Sequence, residues 1–321
     1  MKELVSLIIE KLGESASEGG PLQDSATVSV DEGRIAFTTD SFVVSPLFFP
    51  GGDIGRLSVC GTVNDLAMSG AKPLWMSLSF IIEEGLPFGD FERILGSIAV
   101  AAREANVKVV TGDTKVVERG KADGLFVTTS GIGVVPRGLQ LSSGSARPGD
   151  AVLVNGGIGE HGLAILGRRE GIDFASELES DTAPLSNLTV PLLSRVKTVR
   201  AMRDATRGGL AAVLNEIASD SRACIRVEEE AIPVSEPVRR ACELMGYDPL
   251  HIANEGKFVM IVGAAEAENA LRIMRAHPLG TRAARIGEVV QSPPGLVILN
   301  TPFGGERVVD VPYGDLLPRI C

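Results

Sequence analysis

Two strand-like runs, Asp24–Val30 with apolar residues at alternate positions and Arg34–Asp40 with an apolar stretch followed by a polar one, are split by Asp31-Glu32-Gly33. That pattern predicts a hairpin. A stretch punctuated by Pro and Gly follows from Ser45 to Gly52. Asp53 then stands where an N-cap belongs, ahead of Ile54, Leu57, Val63, Leu66 and Ala67 at helical spacing. The spacing predicts a helix to Met68 with one face laid on a sheet. Further on it predicts a strand over Leu74–Ile82, a helix over Phe88–Asn106, and strands over Val107–Thr111 and Leu125–Val135. The order β-β-α-β-α-β-β is α+β in character.

Ser142–Asp150 breaks the periodicity with Gly, Ser and a Pro-Gly-Asp turn and reads as a linker. It divides the chain into residues 1–145, residues 146–300 and a tail of residues 301–321. The second set begins with a strand over Ala151–Val154 and helices over Glu160–Glu170 and Gly208–Asp220. A strand over Cys224–Val227, a helix over Ser235–Met245, a strand over Lys257–Val262 and a helix over Ala265–Ala276 follow. Strands near 284–290 and 295–299 close it. The tail, with Pro312, Gly314 and Pro318 ahead of the terminal Cys321, suits neither helix nor central strand. Ten extended residues reach about 33 Å, so a terminal thiol there can swing between sites.

Composition narrows the function. With 44 % apolar residues in 321, the chain buries a core sized for about two domains. Its 41 acidic against 31 basic residues give a net charge of -10, which repels a nucleic acid backbone, so no nucleic acid partner is expected. No apolar run approaches the ~18 residues of a membrane span. The first helix-like stretch, Met1–Leu12, carries four charges, so neither a signal peptide nor a membrane anchor is expected. Four cysteines without a CxxC pair fit a reducing cytoplasm, and three scattered histidines argue against zinc.

Chemistry concentrates where apolar runs end. Asp24, Asp40, Asp65, Asp113 and Asp204 each sit at such a junction. One alone is an ordinary cap or turn residue. Five gathered on a rim would repel one another unless a divalent cation intervened, and hard oxygen ligands favour Mg²⁺ bridging to phosphates. Arg207-Gly208-Gly209 opens a helix and can meet an anion, with phosphate the natural candidate. No Walker loop exists, because neither Gly120-Lys121 nor Gly256-Lys257 is followed by Ser or Thr. Gly157-Ile-Gly159-Glu-His-Gly162 matches a dinucleotide fingerprint, yet Ser176–Pro184 is polar where the ribose-binding strand belongs. A tight strand-to-helix turn is the better reading.

Several segments taken in order carry a resemblance: Pro46-Leu-Phe-Phe-Pro-Gly-Gly-Asp-Ile-Gly-Arg56, Gly61-Thr-Val-Asn-Asp65, Thr111-Gly-Asp-Thr-Lys-Val-Val117, Asp204-Ala-Thr-Arg-Gly-Gly209, Asn254-Glu-Gly-Lys257 and Pro318-Arg-Ile-Cys321. From Asp24 to the last residue the chain resembles the HypE family of hydrogenase maturation proteins, in the superfamily of aminoimidazole ribonucleotide synthetase and selenophosphate synthetase. The resemblance implies two α/β domains of the synthetase type, a homodimer whose N-terminal domains pair into an intersubunit β-barrel, ATP in the cleft and a flexible C-terminal tail. It implies Mg²⁺ on Asp24, Asp40, Asp65 and Asp204, with Thr39, Asn64 and Asp113 also at the nucleotide. It further implies that Cys321 accepts a carbamoyl group from the carbamoyltransferase HypF and that ATP drives its dehydration to a thiocyanate. The cyano group then goes to iron on the HypC–HypD scaffold of an [NiFe]-hydrogenase. Lys115 and Glu255 fall beside the carbamoyl group on this resemblance, and Arg207 at the departing phosphate. Glu255 is the preferred base, since a lysine with a pKa near 10.4 stays protonated unless desolvated.

The chain departs from the family pattern in two places. It begins at Met1-Lys-Glu-Leu without the usual glycine-containing segment, and it has Gln23-Asp24 where relatives often show paired aspartates, which leaves Asp24 alone for that metal contact. Two other functions are compatible with the scaffold: a selenophosphate-synthetase-like transferase and a non-catalytic ATP-binding scaffold. The first needs a reactive Cys near the N-terminus, whereas no cysteine precedes Cys60.

Overall fold

The computed structural model describes residues 26–30, 33–172, 178–311 and 319–321, with the backbone alone for 26–30. The expected Met1–Leu12 helix, the Glu18–Pro21 glycine loop, Asp24, the Asp31-Glu32 turn and residues 312–318 of the tail lie outside the described residues. The first sheet is built from β1 (Ala26–Val30), β2 (Gly33–Phe42), β5 (Lys72–Glu83), β6 (Lys108–Val117) and β7 (Leu125–Val135), in the order β1-β2-β7-β5-β6. A two-residue pair, β3 (Phe48–Phe49) and β4 (Gly52–Asp53), leads into helix α1 (Ile54–Met68). Asp53 caps that helix, its carboxylate accepting from Gly55 N and Arg56 N at 2.8 and 3.0 Å. Helix α2 (Phe88–Glu104) packs beside α1, and both cover one face of the sheet. The other face is left open: Phe37, Trp75, Ile81 and Val134 are exposed there.

The second sheet contains β8 (Asp150–Val154), β9 (Val199–Asp204), β10 (Cys224–Glu228), β11 (Phe258–Gly263), β12 (Ala284–Val290), β13 (Val297–Asn300) and β14 (Glu306–Val308). Their order is β14-β13-β10-β12-β8-β11-β9, and every pairing is antiparallel except β10 with β13. Strands β8 and β11 are buried on both faces, apart from the final Gly263, and read as continuous apolar runs for that reason. Helices α3 (Glu160–Glu170), α4 (Ser186–Arg195), α5 (Gly209–Ser221), α6 (Glu236–Met245) and α7 (Ala264–Arg275) complete this half. One apolar cluster joins the halves: Val59 and Val63 of α1, Leu163 of α3 and Ile252 share it with Ile320 of the terminal segment. Among the described residues no helix is long and apolar enough to cross a membrane.

Several elements differ from the sequence expectation. Strand β6 does not stop at Thr111 but runs to Val117, so Asp113 and Lys115 lie inside a strand. Gly112 permits this, because a Cβ at that position would run into the Leu78 carbonyl of β5. Helix α2 ends two residues early, with Asn106 in the left-handed region at φ 53°. Helix α4 and strand β9 were not expected at all. Pro191 sits inside α4, and Arg200 and Arg203 interrupt the apolar pattern of β9.

Overpacking predicts that Gly112→Ala will cost about 1–3 kcal/mol. It should speed hydrogen exchange at the amides of residues 113–117, which are tied to β5, while leaving the second sheet protected.

Candidate active site

Five elements bring ionisable groups to one cleft. Asp40 lies near the end of β2, Asn64 and Asp65 in the last turns of α1, Asp204 at the end of β9, Arg207 just before α5, and Glu255 just before β11. Thr38 donates to the Asp65 carboxylate at 2.6 Å and Thr62 to that of Asp40 at 2.8 Å. Burial raises the Asp40 pKa, against the opposing effects of the Thr62 hydroxyl, a hydrogen bond shared with the Asp65 carboxyl and the charge of Arg207. Two carboxyls, from β2 and α1, are therefore held against each other, and an arginine of the second half is close enough to be felt by Asp40.

Glu255 is the most constrained group. It is only 3 % exposed, and its Oε1 has no hydrogen-bond partner. Burial pushes its pKa well above the ordinary carboxylate value, the charges of Asp204, Asp181 and Asp40 push it further, and Arg207 opposes them. Its backbone is fixed from two sides. Asn64 donates to the Glu255 carbonyl at 3.0 Å and to that of Ala183 at 3.1 Å, and accepts from Leu185 N at 2.8 Å. Asp181 accepts from Glu255 N, Gly256 N and Lys257 Nζ at 3.0, 3.1 and 2.8 Å. Burial works against the Asp181 charge, but Lys257 and these bonds hold its pKa below the usual range. Gly256 is required here, since a Cβ would collide with the Asp181 carbonyl.

The residues expected from sequence thus divide. Asp40, Asp65, Asp204, Arg207 and Glu255 converge. Asn64 lies among them, but its side-chain oxygen and nitrogen are engaged within the chain, so it anchors Glu255 and the segment around Ala183. Asp113 and Lys115 are elsewhere within one chain. They form an exposed ion pair at 2.6 Å on β6, three strands from β2, a separation of roughly 14 Å. Asp113 shares its row with Ser79 of β5 and Thr128 of β7, whereas Asp40 is in the row of Leu78 and Thr129, on the helix-covered face. Thr39 points to the same open face as Asp113 and bonds Thr129 O and Ser130 Oγ. Asp24 lies outside the described residues. Asp181 was missed, because it stands in the polar Ser176–Pro184 stretch with no pattern to mark it.

The terminal cysteine reaches this region. Val43 N donates to Cys321 O at 3.3 Å, three residues beyond Asp40, or roughly 10 Å along an extended chain. Burial pushes the thiols of Cys60 and Cys242 up to about 12 and about 11 and raises that of Cys224. Cys321 is the one cysteine that is not buried.

Whether Mg²⁺ suits this cleft is decided by its donors. The paired carboxyl oxygens of Asp40 and Asp65 are hard donors of the kind such a cation takes, and Asp204 lies near them across the two halves. Among the described residues no group of three or more His, Cys, Asp and Glu side chains could hold a metal ion by itself. The remaining oxygens must come from a ligand, as they do where Mg²⁺ binds through one or two carboxylates and phosphates.

An α/β chain in two halves with a carboxylate-rich cleft between them defines a class, and the family models agree. Residues 22–135 match the N-terminal domain and residues 147–299 the C-terminal domain of AIR synthase related proteins. The chain is 56 % identical over 299 residues, 93 % of its length and 85 % of the relative, to the carbamoyl dehydratase HypE of Cupriavidus necator. A crystal structure of a HypE–HypF complex superposes with a TM-score of 0.89 at 49 % identity, covering 95 % of this chain and 99 % of that one. One of HypE in complex with ATP gives 0.88 at 45 % identity, covering 99 % and 96 %. The chain belongs to the HypE family of the AIR synthase related proteins.

Glu255→Gln is predicted to stabilise the protein when it is free of Mg²⁺ and nucleotide. A carboxylate whose folded pKa is raised loses stability as pH climbs from its unfolded value, near 4.5, towards the folded one. The variant should melt about 2–4 °C higher at neutral pH, with the gap closing as pH falls to 4.5.

Proposed function

We propose that this protein is an ATP-dependent carbamoyl dehydratase that carries its substrate on Cys321 and converts the S-carbamoyl group to a thiocyanate, the source of the cyanide ligand of [NiFe]-hydrogenase iron. The observation that carries this reading is the terminal residue seated beyond Asp40, in a chain whose buried Glu255 stands among carboxylates. Removing water from an amide requires oxygen to depart as a good leaving group. ATP answers this need as co-substrate: its γ-phosphoryl group goes to the carbamoyl oxygen, which then leaves with the phosphate. Mg²⁺, when bound, supplies charge neutralisation of the triphosphate, and Asp40, Asp65 and Asp204, with Asp24, are the residues that would hold it.

The chain's own groups do the rest. One N–H proton passes to solvent when the carbamoyl oxygen is phosphorylated, and Glu255, ionised once a cation and nucleotide balance its neighbours, takes the second as the C–O bond breaks. Arg207 draws the transferred phosphoryl group by charge. Thr39, Asn64 and Asp113 complete the proposed nucleotide surroundings, and Lys115 the surroundings of the carbamoyl group.

Asp113 and Lys115 lie on an exposed strand, which supports a homodimer. Val109, Val110 and Val116 of β6 are exposed with them, and the sheet's open face continues through Trp75 and Phe37. Pairing of two such sheets makes the intersubunit β-barrel, which buries that surface and places these residues inside an assembly. The domain division at residues 145 and 146 and a tail that leaves and regains its seat belong to the same proposal. The partners are the carbamoyltransferase HypF, seen with a HypE in the related complex, and a HypC–HypD scaffold that receives the cyano group.

Incubation with the carbamoyltransferase, carbamoyl phosphate and ATP should add one carbamoyl group to the C-terminal peptide and then remove one water, as read by mass spectrometry. Phosphate release without any change in that peptide would end this reading. Cys321→Ala should lose product yet bind ATP, and Glu255→Gln should stall at the carbamoyl thiol, at least about 100-fold slowed. Val116→Glu should give a monomer by light scattering, and an unchanged dimer would remove β6 from the interface.

A further inference from the structure

The Gly157–Gly162 motif has no part in nucleotide binding as described above, yet it places a buried imidazole against the terminal segment. His161, near the start of α3, is fully buried, and Phe49 meets its ring edge to face at 5.7 Å. Its Nε2 lies 2.7 Å from the carbonyl oxygen of Ile320, and its Nδ1 lies 2.7 Å from Ser180 Oγ. A carbonyl only accepts, so Nε2 carries the proton. In the neutral ring Nδ1 must then accept from the Ser180 hydroxyl. Ser180 Oγ is oriented in turn by Thr182, whose Oγ1 is 2.6 Å away and whose backbone N donates to it at 3.2 Å. Burial lowers the His161 pKa, which keeps the ring in that neutral form.

The seat around this bond is specific. Ile320 is 4 % exposed in the apolar cluster, Ser45 N donates to Arg319 O at 3.1 Å, and Arg169 bridges the Ser45 and Arg319 carbonyls, both at 2.8 Å. Arg319 adopts a left-handed φ of 58°, a conformation that is unfavourable for a non-glycine residue and is offset here by these bonds. The short segment that steers His161 also steers the carboxylate cleft: Ser180 holds the imidazole, and the next residue, Asp181, holds the backbone of Glu255.

We infer that His161 is a positioning residue of the dehydration step, a donor that fixes the Ile320 carbonyl and so sets the cargo-bearing Cys321 in register with Glu255 through the Ser180-Asp181 link. This rests on the activity proposed above, whereas the seating of the terminal segment by His161 does not. The bond is lost when the thiol goes out to be loaded and is remade when it returns.

The test is the alkylation rate of Cys321 by iodoacetamide in the full-length protein, read on the C-terminal peptide, with the buried Cys60, Cys224 and Cys242 as internal controls. His161→Leu, which keeps bulk and removes the donor, should speed labelling about tenfold, the effect of one buried hydrogen bond. His161→Gln, whose amide can still donate to the carbonyl, should stay within about threefold of the native rate by the same reasoning. In carbamoylated protein, His161→Leu should slow water loss about tenfold while carbamoyl uptake is undiminished. A folded His161→Leu protein labelled at the native rate overturns the inference, and so does one that dehydrates normally. If that variant does not fold, Ser180→Ala decides the matter, because its Nδ1 loses the donor that fixes the tautomer. Native labelling in it is again fatal. Absence of dehydration in the native protein would instead sink the proposed activity, and the labelling comparison would still decide the role of His161.

Discussion

A carboxylate taken out of water without a partner for one of its oxygens is costly to fold, and this chain surrounds such a group, Glu255, with three further acids. The fold keeps it in place through its backbone. Asn64 grips the carbonyl side and Asp181 the amide side, so the residue is held through its backbone while its Oε1 has no hydrogen-bond partner. The cost is carried elsewhere, by β8 and β11 buried on both faces and by an apolar cluster that ties α1 to the second half. A site that is strained when empty gains the most from a cation and a polyphosphate, which is the sense in which the cleft is prepared for them.

The same anchoring joins the two halves. Asn64 belongs to the helix behind the first sheet, yet its side-chain hydrogen bonds go to residues of the second half. Asp40 and Asp65 on one wall and Asp204, Arg207 and Glu255 on the other owe their proximity to such crossings. The two walls are thus tied together at the rear, while β6 at the edge of the first sheet is exposed along its length.

Much of this was legible in the sequence, for physical reasons that can be named. Asp53 announced the start of α1 because a carboxylate before an apolar periodic run has free amides to accept from, and those bonds are made. The strands β8 and β11 were legible as unbroken apolar runs. By contrast β9 was hidden by Arg200 and Arg203, which reach acids at its edge, Asp150 and Glu216, and α4 by its internal Pro191. The extension of β6 was hidden because Gly112 and Asp113 look like a turn, whereas glycine there admits the neighbouring strand. Of the acids marked by their position at element ends, Asp40, Asp65 and Asp204 come together, whereas Asp113 lies apart on β6. Asp181 and His161 were not marked in this way, since their roles come from packing between distant segments and leave no local pattern.

The exposed edge of β6 has one more consequence. Among the described residues β6 is paired on one side only, with β5, and a long edge strand carrying exposed Val109, Val110 and Val116 is a template for unwanted strand addition. The irregular register near Met76 and Ser77, which leaves Val110 without an opposite number, breaks the flatness such misassembly needs, and Lys108 and Lys115 add charge along the row. The edge thus carries its own guard against indiscriminate strand pairing.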